Sequence, residues 1–113
     1  MFSPLTQQLI DAFRCLPGIG AKSAQRMAFH LLTEHQREKG QHLARSLNTA
    51  LERIQRCQHC QTYTEQAICD ICNNSKRNDT LLCIVETPAD IIALEQTHCY
   101  NGKYFVLHGH LSP

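Results

Sequence analysis

The sequence predicts an α+β protein made of several small parts. Apolar residues recur at helical spacing in the first half, four cysteines occupy a polar middle segment, and two apolar runs flank a helical segment near the end. A chain of 113 residues buries only a modest core. We therefore expect an N-terminal helical unit, a four-cysteine hairpin and a partial α/β unit of βαβ type.

Three helices are predicted in residues 1–56. Ser3 precedes Pro4, which is the pattern of a helix N-cap followed by a first-turn proline. The second helix follows a glycine-bearing turn, and Thr33 with Gln36 forms a capping pair for the third. The third helix carries a predicted apolar stripe of Leu43, Leu47, Ala50, Leu51 and Ile54.

The middle segment, residues 57–72, contains two CxxC pairs. The intervening chain is long enough to turn back and bring four thiolates to one tetrahedral Zn²⁺. Four thiolates leave no open coordination position, so the metal would be structural. The alternatives are two redox CxxC pairs or buried thiols, and His59 could replace one thiolate. The predicted zinc ligands are Cys57, Cys60, Cys69 and Cys72.

The cysteine count also bears on the compartment. The N-terminus has no basic segment followed by a long apolar run, and no apolar stretch approaches the roughly 18 residues of a membrane span. A cytoplasmic protein without membrane contact is therefore expected, and its thiols would stay reduced. Cys15, Cys83 and Cys99 have no partner at ligand spacing, so we expect them to be small core residues.

The last part of the chain, residues 81–113, predicts a strand, a helix and a second strand. Residues 73–80 form a polar linker, and the apolar run 81–85 suggests a strand buried on both faces. Thr87 and Asp90 provide a capping box for the helix. The second strand follows the Asn101-Gly102 turn, and the order predicts a parallel pair with a right-handed crossover.

Charge is distributed unevenly although the formal net charge is only +1. Residues 1–56 carry eight Lys or Arg and four acidic residues, whereas residues 57–113 carry three and six. The positive half therefore predicts contact with nucleic acid.

A hairpin in the positive half has the composition of a phosphate-binding turn. Gly18 and Gly20 lie in the turn before the second helix, where exposed backbone N–H groups can bind phosphate without reading base sequence. Lys22 and Arg26 follow four residues apart on one helix face, and Arg14 extends the positive surface. The alternative is an ordinary turn between two helices with solvated charges.

Four segments together resemble the bacterial RecR family of recombination mediators. They are RCLPGIGAKSAQRMAFHLL, CQHCQTYTEQAICDIC, LLCIVETPADIIALEQT and YFVLHGHLSP. The resemblance covers essentially the whole chain. It implies a helix-hairpin-helix unit in residues 1–56, a four-cysteine zinc finger in residues 57–72 and the start of a Toprim domain in residues 81–113.

The resemblance also implies a function in recombinational repair of gapped DNA. RecR family members act with the partner proteins RecO and RecF and assemble as ring-like homo-oligomers, which implies a bacterial, nucleoid-associated location. Family members continue well beyond the motif that ends here at Pro113, so the chain is similar to a truncated member. An exposed strand edge and apolar face near Val106 are then expected.

The sequence favours a protein without catalytic activity. In catalytic Toprim domains a glutamate after the first strand works with a downstream acidic pair, and Glu86 has the first of these positions. No Asp or Glu follows Glu95 in this sequence, so one carboxylate would remain for both metal binding and proton transfer. His108 and His110 are expected in a solvated loop. The alternative to a DNA-binding repair mediator is a zinc-stapled protein-interaction module without direct DNA binding.

Overall fold

The computed structural model describes residues 2–110, and residues 111–113 of the last predicted segment lie outside this range. The chain divides into two compact units, Met1–Thr49 and Ala50–Pro113. Within residues 2–110, no helix has both the length and the apolar composition needed to cross a membrane. The predicted mixture of helical, zinc-finger and partial α/β parts is confirmed.

The first unit is built on two packed helices, α1 (Pro4–Phe13) and α2 (Ala21–Leu32). As predicted, Ser3 is the N-cap of α1, and its hydroxyl accepts a hydrogen bond from the Thr6 N–H at 3.3 Å. The two helices bury a small cluster of Ile10, Ala24 and Ala28. The two alanines permit a close approach of the helices at this contact.

The third helix, α3 (Arg37–Arg53), differs from the prediction in two respects. Thr33 does not cap it, because a 3₁₀ turn at Glu34–Gln36 comes first and the Thr33 hydroxyl donates to the Phe29 carbonyl at 2.9 Å. None of the described residues of α3 is buried, and the predicted apolar stripe is largely solvent-exposed, with Leu51 at 74%.

The second unit contains two small sheets. Strands β1 (Gln55–Arg56) and β2 (Tyr63–Thr64) form an antiparallel pair at the zinc finger. Strands β3 (Leu82–Val85) and β4 (Lys103–Val106) pair in parallel, and α4 (Pro88–Glu95) connects them as predicted. The Asp90 carboxylate accepts from the N–H groups of Glu86 and Thr87 at 3.2 and 3.1 Å, which confirms the acidic half of the capping box.

Within residues 2–110, the parallel sheet is covered on one face. Val85, Tyr104 and Val106 face α4 and form a core with Ile91. The expectation that the first strand is buried on both faces is wrong, because Leu82 and Ile84 point to the other face and are 63% and 55% exposed.

Arg77 ties the segment between zinc finger and sheet to this core. Its guanidinium donates two hydrogen bonds to the Glu95 carboxylate and one each to the carbonyls of Tyr100 and Gly102, both at 3.3 Å. The Tyr104 hydroxyl donates to the same carboxylate. Gly102 is buried, and a Cβ there would collide with the Tyr100 hydroxyl and with Leu81. The predicted turn therefore needs a glycine for reasons of space.

Candidate zinc centre and nucleic-acid interface

The four cysteines of the two CxxC pairs converge. The sulfur atoms of Cys57, Cys60, Cys69 and Cys72 all lie within 4.8 Å of one another, and Cys60 Sγ is 3.6 Å from Cys69 Sγ. A tetrahedral Zn²⁺ with Zn–S bonds of about 2.3 Å requires sulfur separations of about 3.8 Å. A disulfide would need about 2.05 Å, and all four thiols are free. The donor set therefore fits one tetrathiolate zinc ion.

Local hydrogen bonds shape each CxxC segment. In the first, the Cys57 N–H donates to the Thr62 carbonyl at 2.7 Å, and Gln61 adopts a left-handed conformation with φ 70° that turns the chain back into β2. In the second, the Asn73 N–H donates to the Cys69 carbonyl at 2.9 Å. Both turns are local, which explains why the CxxC spacing is sufficient to predict them.

Backbone N–H groups point at the sulfur of Cys57. Burial raises the pKa of this thiol, but N–H groups of Cys60, Cys69 and His59 stabilise the thiolate and bring the pKa down to about 6. The N–H groups of Cys60 and Cys69 lie 3.5 and 3.3 Å from the sulfur. One negative charge is therefore favoured in the cluster.

The thiols of Cys60 and Cys72 resist ionisation. Burial raises the pKa of Cys60 to about 11, and burial together with the neighbouring Cys60 and Cys69 sulfurs raises the pKa of Cys72 well above its usual range. Four thiolates this close need a cation, and Zn²⁺ deprotonates the thiols that bind it. The chain thus carries one structural zinc site.

Strand β4 contacts the first CxxC segment through its C-terminal end. The Val106 N–H donates to the Cys60 carbonyl at 2.8 Å, and His108 Nε2 donates to the Gln61 carbonyl at 2.6 Å. Val106 itself is only 1% exposed and its N–H is paired, so it does not present the expected exposed edge. Its neighbours Phe105 and Leu107 are each 37% exposed, so the expected apolar surface near this residue is present. His108 is half-buried, so the expectation of a solvated loop is wrong for this residue.

The predicted phosphate-binding hairpin is exposed to solvent at both of its glycines. Gly18 has φ 79°, a left-handed conformation that favours glycine. Gly20 is the N-cap of α2, where no side chain caps the helix. A Cβ placed on either glycine would meet no atom within 4 Å. The first-turn N–H groups of α2 are therefore accessible to an anion.

The three basic residues predicted at the hairpin are exposed. Lys22 and Arg26 lie one turn apart on α2, on the side opposite Ala24 and Ala28, which pack against α1. Arg14 is the C-cap residue of α1. Among the described residues, none of these three basic side chains takes part in an ion pair. They are free to contact an external anion.

Glu86 is near a histidine at the end of β3. Its Oε2 lies 2.6 Å from His110 Nδ1, and the Gly109 N–H donates to its backbone carbonyl at 3.1 Å. His110 is 92% exposed at its side chain, in agreement with its predicted position in a solvated loop.

The expectation that the three remaining cysteines are small core residues is wrong for two of them. Cys15 and Cys99 are exposed and Cys83 is half-buried, so the first two are not core residues. Cys83 packs against the core of the βαβ unit.

Three family models match separate segments of the chain. Residues 6–51 match the family model described as RecR, helix-hairpin-helix, and residues 54–74 match the model of the RecR four-cysteine zinc finger domain. Residues 80–113 match a Toprim domain. The zinc-finger match contains all four cysteines of the cluster.

Curated relatives resemble the chain along nearly all of its length. Recombination protein RecR of Coxiella burnetii is 63% identical over 113 residues, which are 100% of this chain and 56% of that protein. Recombination protein RecR of Saccharophagus degradans is 59% identical over 113 residues, which are 100% of this chain and 57% of that protein. The Legionella pneumophila strain Corby protein of the same name is 57% identical over 106 residues, 94% of this chain and 53% of that protein.

The fold and the site define a helix-hairpin-helix and zinc-finger protein that also carries part of a Toprim domain. The chain belongs to the RecR family. It spans about half the length of the curated relatives that it matches.

Proposed function

We propose that this protein is a non-enzymatic, sequence-independent DNA-binding mediator of recombinational repair. The supporting observation is the open hairpin before α2. Accessible N–H groups at the start of a helix and two basic side chains on its exposed face are combined there. Such groups bind phosphate oxygens and carry no information about base sequence.

The DNA-binding residues in this proposal are Gly18, Gly20, Lys22, Arg26 and Arg14. Each has a distinct role. Gly18 provides the left-handed turn, and Gly20 allows the backbone to approach a phosphate closely. Lys22 and Arg26 contact neighbouring phosphates, and Arg14 extends the contact along the strand.

The zinc ion has a structural role in this proposal. Its ligands are Cys57, Cys60, Cys69 and Cys72, whose sulfurs form a closed set of four donors. A closed tetrathiolate leaves no position for water or substrate, so the ion stabilises the finger and supplies no chemistry.

Absence of catalysis is also part of the proposal. Glu86, at the strand end where catalytic Toprim domains have their first glutamate, lies against His110. A single carboxylate next to a histidine is a poor Mg²⁺ site, since Mg²⁺ prefers several oxygen ligands.

The proposed partners follow from the family. RecO and RecF type repair proteins would bind the protein in the bacterial cytoplasm at gapped DNA, and longer relatives would form homo-oligomers. Co-sedimentation of purified RecO with this chain, with and without single-stranded DNA, tests the first of these partners.

DNA binding is tested with the double variant Lys22→Ala/Arg26→Ala and fluorescently labelled DNA at several salt concentrations. Loss of two phosphate contacts should weaken binding on every sequence alike. It should also reduce the slope of log K against log salt by about 1.4 for single strands and about 1.8 for duplex. The matched control is Lys39→Ala/Arg45→Ala, which removes one lysine and one arginine from exposed positions of α3.

The control should keep most of the salt slope, because its residues lie outside the hairpin. Equal slopes for wild type and the hairpin variant would reject the hairpin as the DNA site. Equal losses in both variants would mean that net charge, and not the hairpin, determines binding.

A second candidate function is a protein-interaction module without direct DNA binding. The apolar sheet face favours it, since Leu82, Ile84 and Phe105 are exposed at 63%, 55% and 37%. Under this alternative a partner protein would stay bound at salt concentrations that abolish DNA binding. Substitution of Ile84 by a polar residue would then release that partner, whereas the hairpin variant would not.

A further inference from the structure

Lys103 lies against the backbone of the second CxxC segment. This residue begins β4, and its Nζ is 2.8 Å from the Cys72 carbonyl oxygen, 3.3 Å from that of Ile71 and 3.4 Å from that of Asn74. The side chain is only 18% exposed, and the carboxylate of Asp79, which lies 3.5 Å from Nζ, is 86% exposed at its side chain.

The ammonium group has three donors, and three carbonyl oxygens surround it. A cation removed this far from water needs such partners, and hydrogen bonds to a charged donor are stronger than neutral ones. The contacts are therefore a strong restraint on the chain from Ile71 to Asn74. Cys72, whose sulfur completes the cluster, is inside this restrained segment.

Charge adds a second effect. Four thiolates around one Zn²⁺ carry a net charge of −2, and the cluster is mostly buried. A positive charge held at the backbone of one ligand residue offsets part of this charge where water screens it weakly. Among the Lys and Arg side chains of the described residues, Lys103 is the one that donates to the carbonyl of a cysteine of the cluster.

The zinc finger and the sheet are thus joined by one strand. The N-terminal end of β4 holds the second CxxC segment through Lys103, and its C-terminal end holds the first through Val106. Ile71 adds an apolar connection, because it packs against both the cysteine cluster and the core of the βαβ unit. Zinc binding and the position of β4 are therefore linked.

We propose that Lys103 is a positioning residue of the zinc centre, which fixes the carbonyl groups around Cys72 and places a positive charge beside the tetrathiolate. The proposal rests on the zinc ligands given under the proposed function. It predicts that loss of this ammonium weakens zinc binding beyond any effect on folding. Outer contacts of this kind typically contribute about 10- to 100-fold to metal affinity.

The test uses the full 113-residue chain and the variant Lys103→Met, which keeps the aliphatic stem and removes charge and donors. Zinc affinity is measured by competition with a chromophoric chelator, and Co²⁺ substitution reports the tetrathiolate geometry through its thiolate-to-metal absorption bands. We expect zinc affinity to fall about 10- to 100-fold and the Co²⁺ bands to shift or weaken. The zinc affinity of Lys103→Arg, which retains the charge, should lie between those of the wild type and Lys103→Met.

Two control variants separate the effects of net charge and of folding stability from the positioning role of Lys103. Lys76→Met makes the same substitution at an exposed lysine after the second CxxC segment and should leave zinc affinity unchanged. Arg77→Leu destabilises the same unit without touching a carbonyl of either CxxC segment. If Arg77→Leu and Lys103→Met lower zinc affinity in equal proportion to their loss of folding stability, the proposal is overturned.

The remaining outcomes of the experiment also support or overturn the proposal. Wild-type affinity in Lys103→Met overturns this proposal alone, whereas a wild-type chain that binds no zinc overturns the assignment of the zinc ligands. If Lys103→Met does not fold, Lys103→Gln and Lys103→Arg are compared in the same assay. Tighter zinc binding by the arginine variant supports the proposal, and equal binding overturns it.

Discussion

Replacement of Arg77 by leucine should destabilise the second unit by about 2–3 kcal/mol. The guanidinium makes two hydrogen bonds to the Glu95 carboxylate and two more to backbone carbonyls. A hydrogen bond to a charged group contributes about 1.5–3 kcal/mol when it is buried. The side chains of Arg77 and Glu95 are 14% and 28% exposed, so Glu95 can partly rehydrate and the loss falls well below the sum of the bonds.

Urea unfolding followed by circular dichroism measures this loss from the midpoint and slope of the transition. Lys76→Leu is the matched control, since it removes a neighbouring positive charge at an exposed position and should change stability by less than about 0.5 kcal/mol. A double-mutant cycle with Glu95→Gln isolates the pair, and its coupling energy should exceed about 1 kcal/mol. A loss in Arg77→Leu no larger than that of the control would refute the assignment of Arg77 as a structural anchor.

Three further predictions concern pH, the hairpin and the sheet. The Arg77 guanidinium holds the pKa of Glu95 below its usual value. The ion pair therefore stabilises the fold fully above the ordinary carboxyl pKa of about 4.3, and this stabilisation disappears as the pH falls through the lower pKa of the folded state. The unfolding free energies of wild type and Glu95→Gln should converge in acid, and a difference that is constant with pH would contradict this. Gly20→Ala should weaken DNA binding with little loss of stability, because the added Cβ has free space. Gly18→Ala should lower the free energy of unfolding by about 1 kcal/mol, because Gly18 has a φ of 79°. Equal shifts of the melting temperature in the two variants would argue against this distinction. Ile84→Thr should reduce self-association measured by sedimentation velocity, because Ile84 is exposed on the apolar sheet face. The control Val85→Thr changes a buried neighbour and should mainly lower stability. Unchanged association of Ile84→Thr would mean that the exposed face does not self-associate.

Local signals in the sequence predicted much of the architecture. Ser3 caps α1 and Asp90 completes the start of α4 because each interaction spans only a few residues. The zinc centre was predictable for a similar reason, since each CxxC pair closes one tight turn and the metal joins the two turns. The chemistry of four thiolates left little choice of ion.

The errors arise where the sequence pattern does not specify which of several partners a face or a side chain will contact. A run such as Leu81–Val85 indicates a strand, but the alternation of its side chains does not reveal which face another element will cover. Thr33 matched a capping pattern, yet its hydroxyl found a nearer acceptor in the preceding helix.

Three polar contacts had no sequence signal at all. Lys103 reaches a carbonyl 31 residues earlier, His108 one 47 residues earlier, and Arg77 a carboxylate 18 residues later. Sequence patterns placed Arg77 in a polar linker and His108 in a solvated loop, and they made no prediction for Lys103. Only the folded arrangement of β4 and α4 brings these groups to their partners.

One zinc ion, held by four thiolates, organises the finger and its junction with β4. Native mass spectrometry, combined with iodoacetamide labelling before and after chelation, tests this claim directly. We predict one zinc per chain and four cysteines that resist alkylation until the chelator removes the metal, with Cys15 and Cys99 labelled from the start because they are exposed. A folded chain without zinc, in which all cysteines react at the same rate, would contradict this role of the metal.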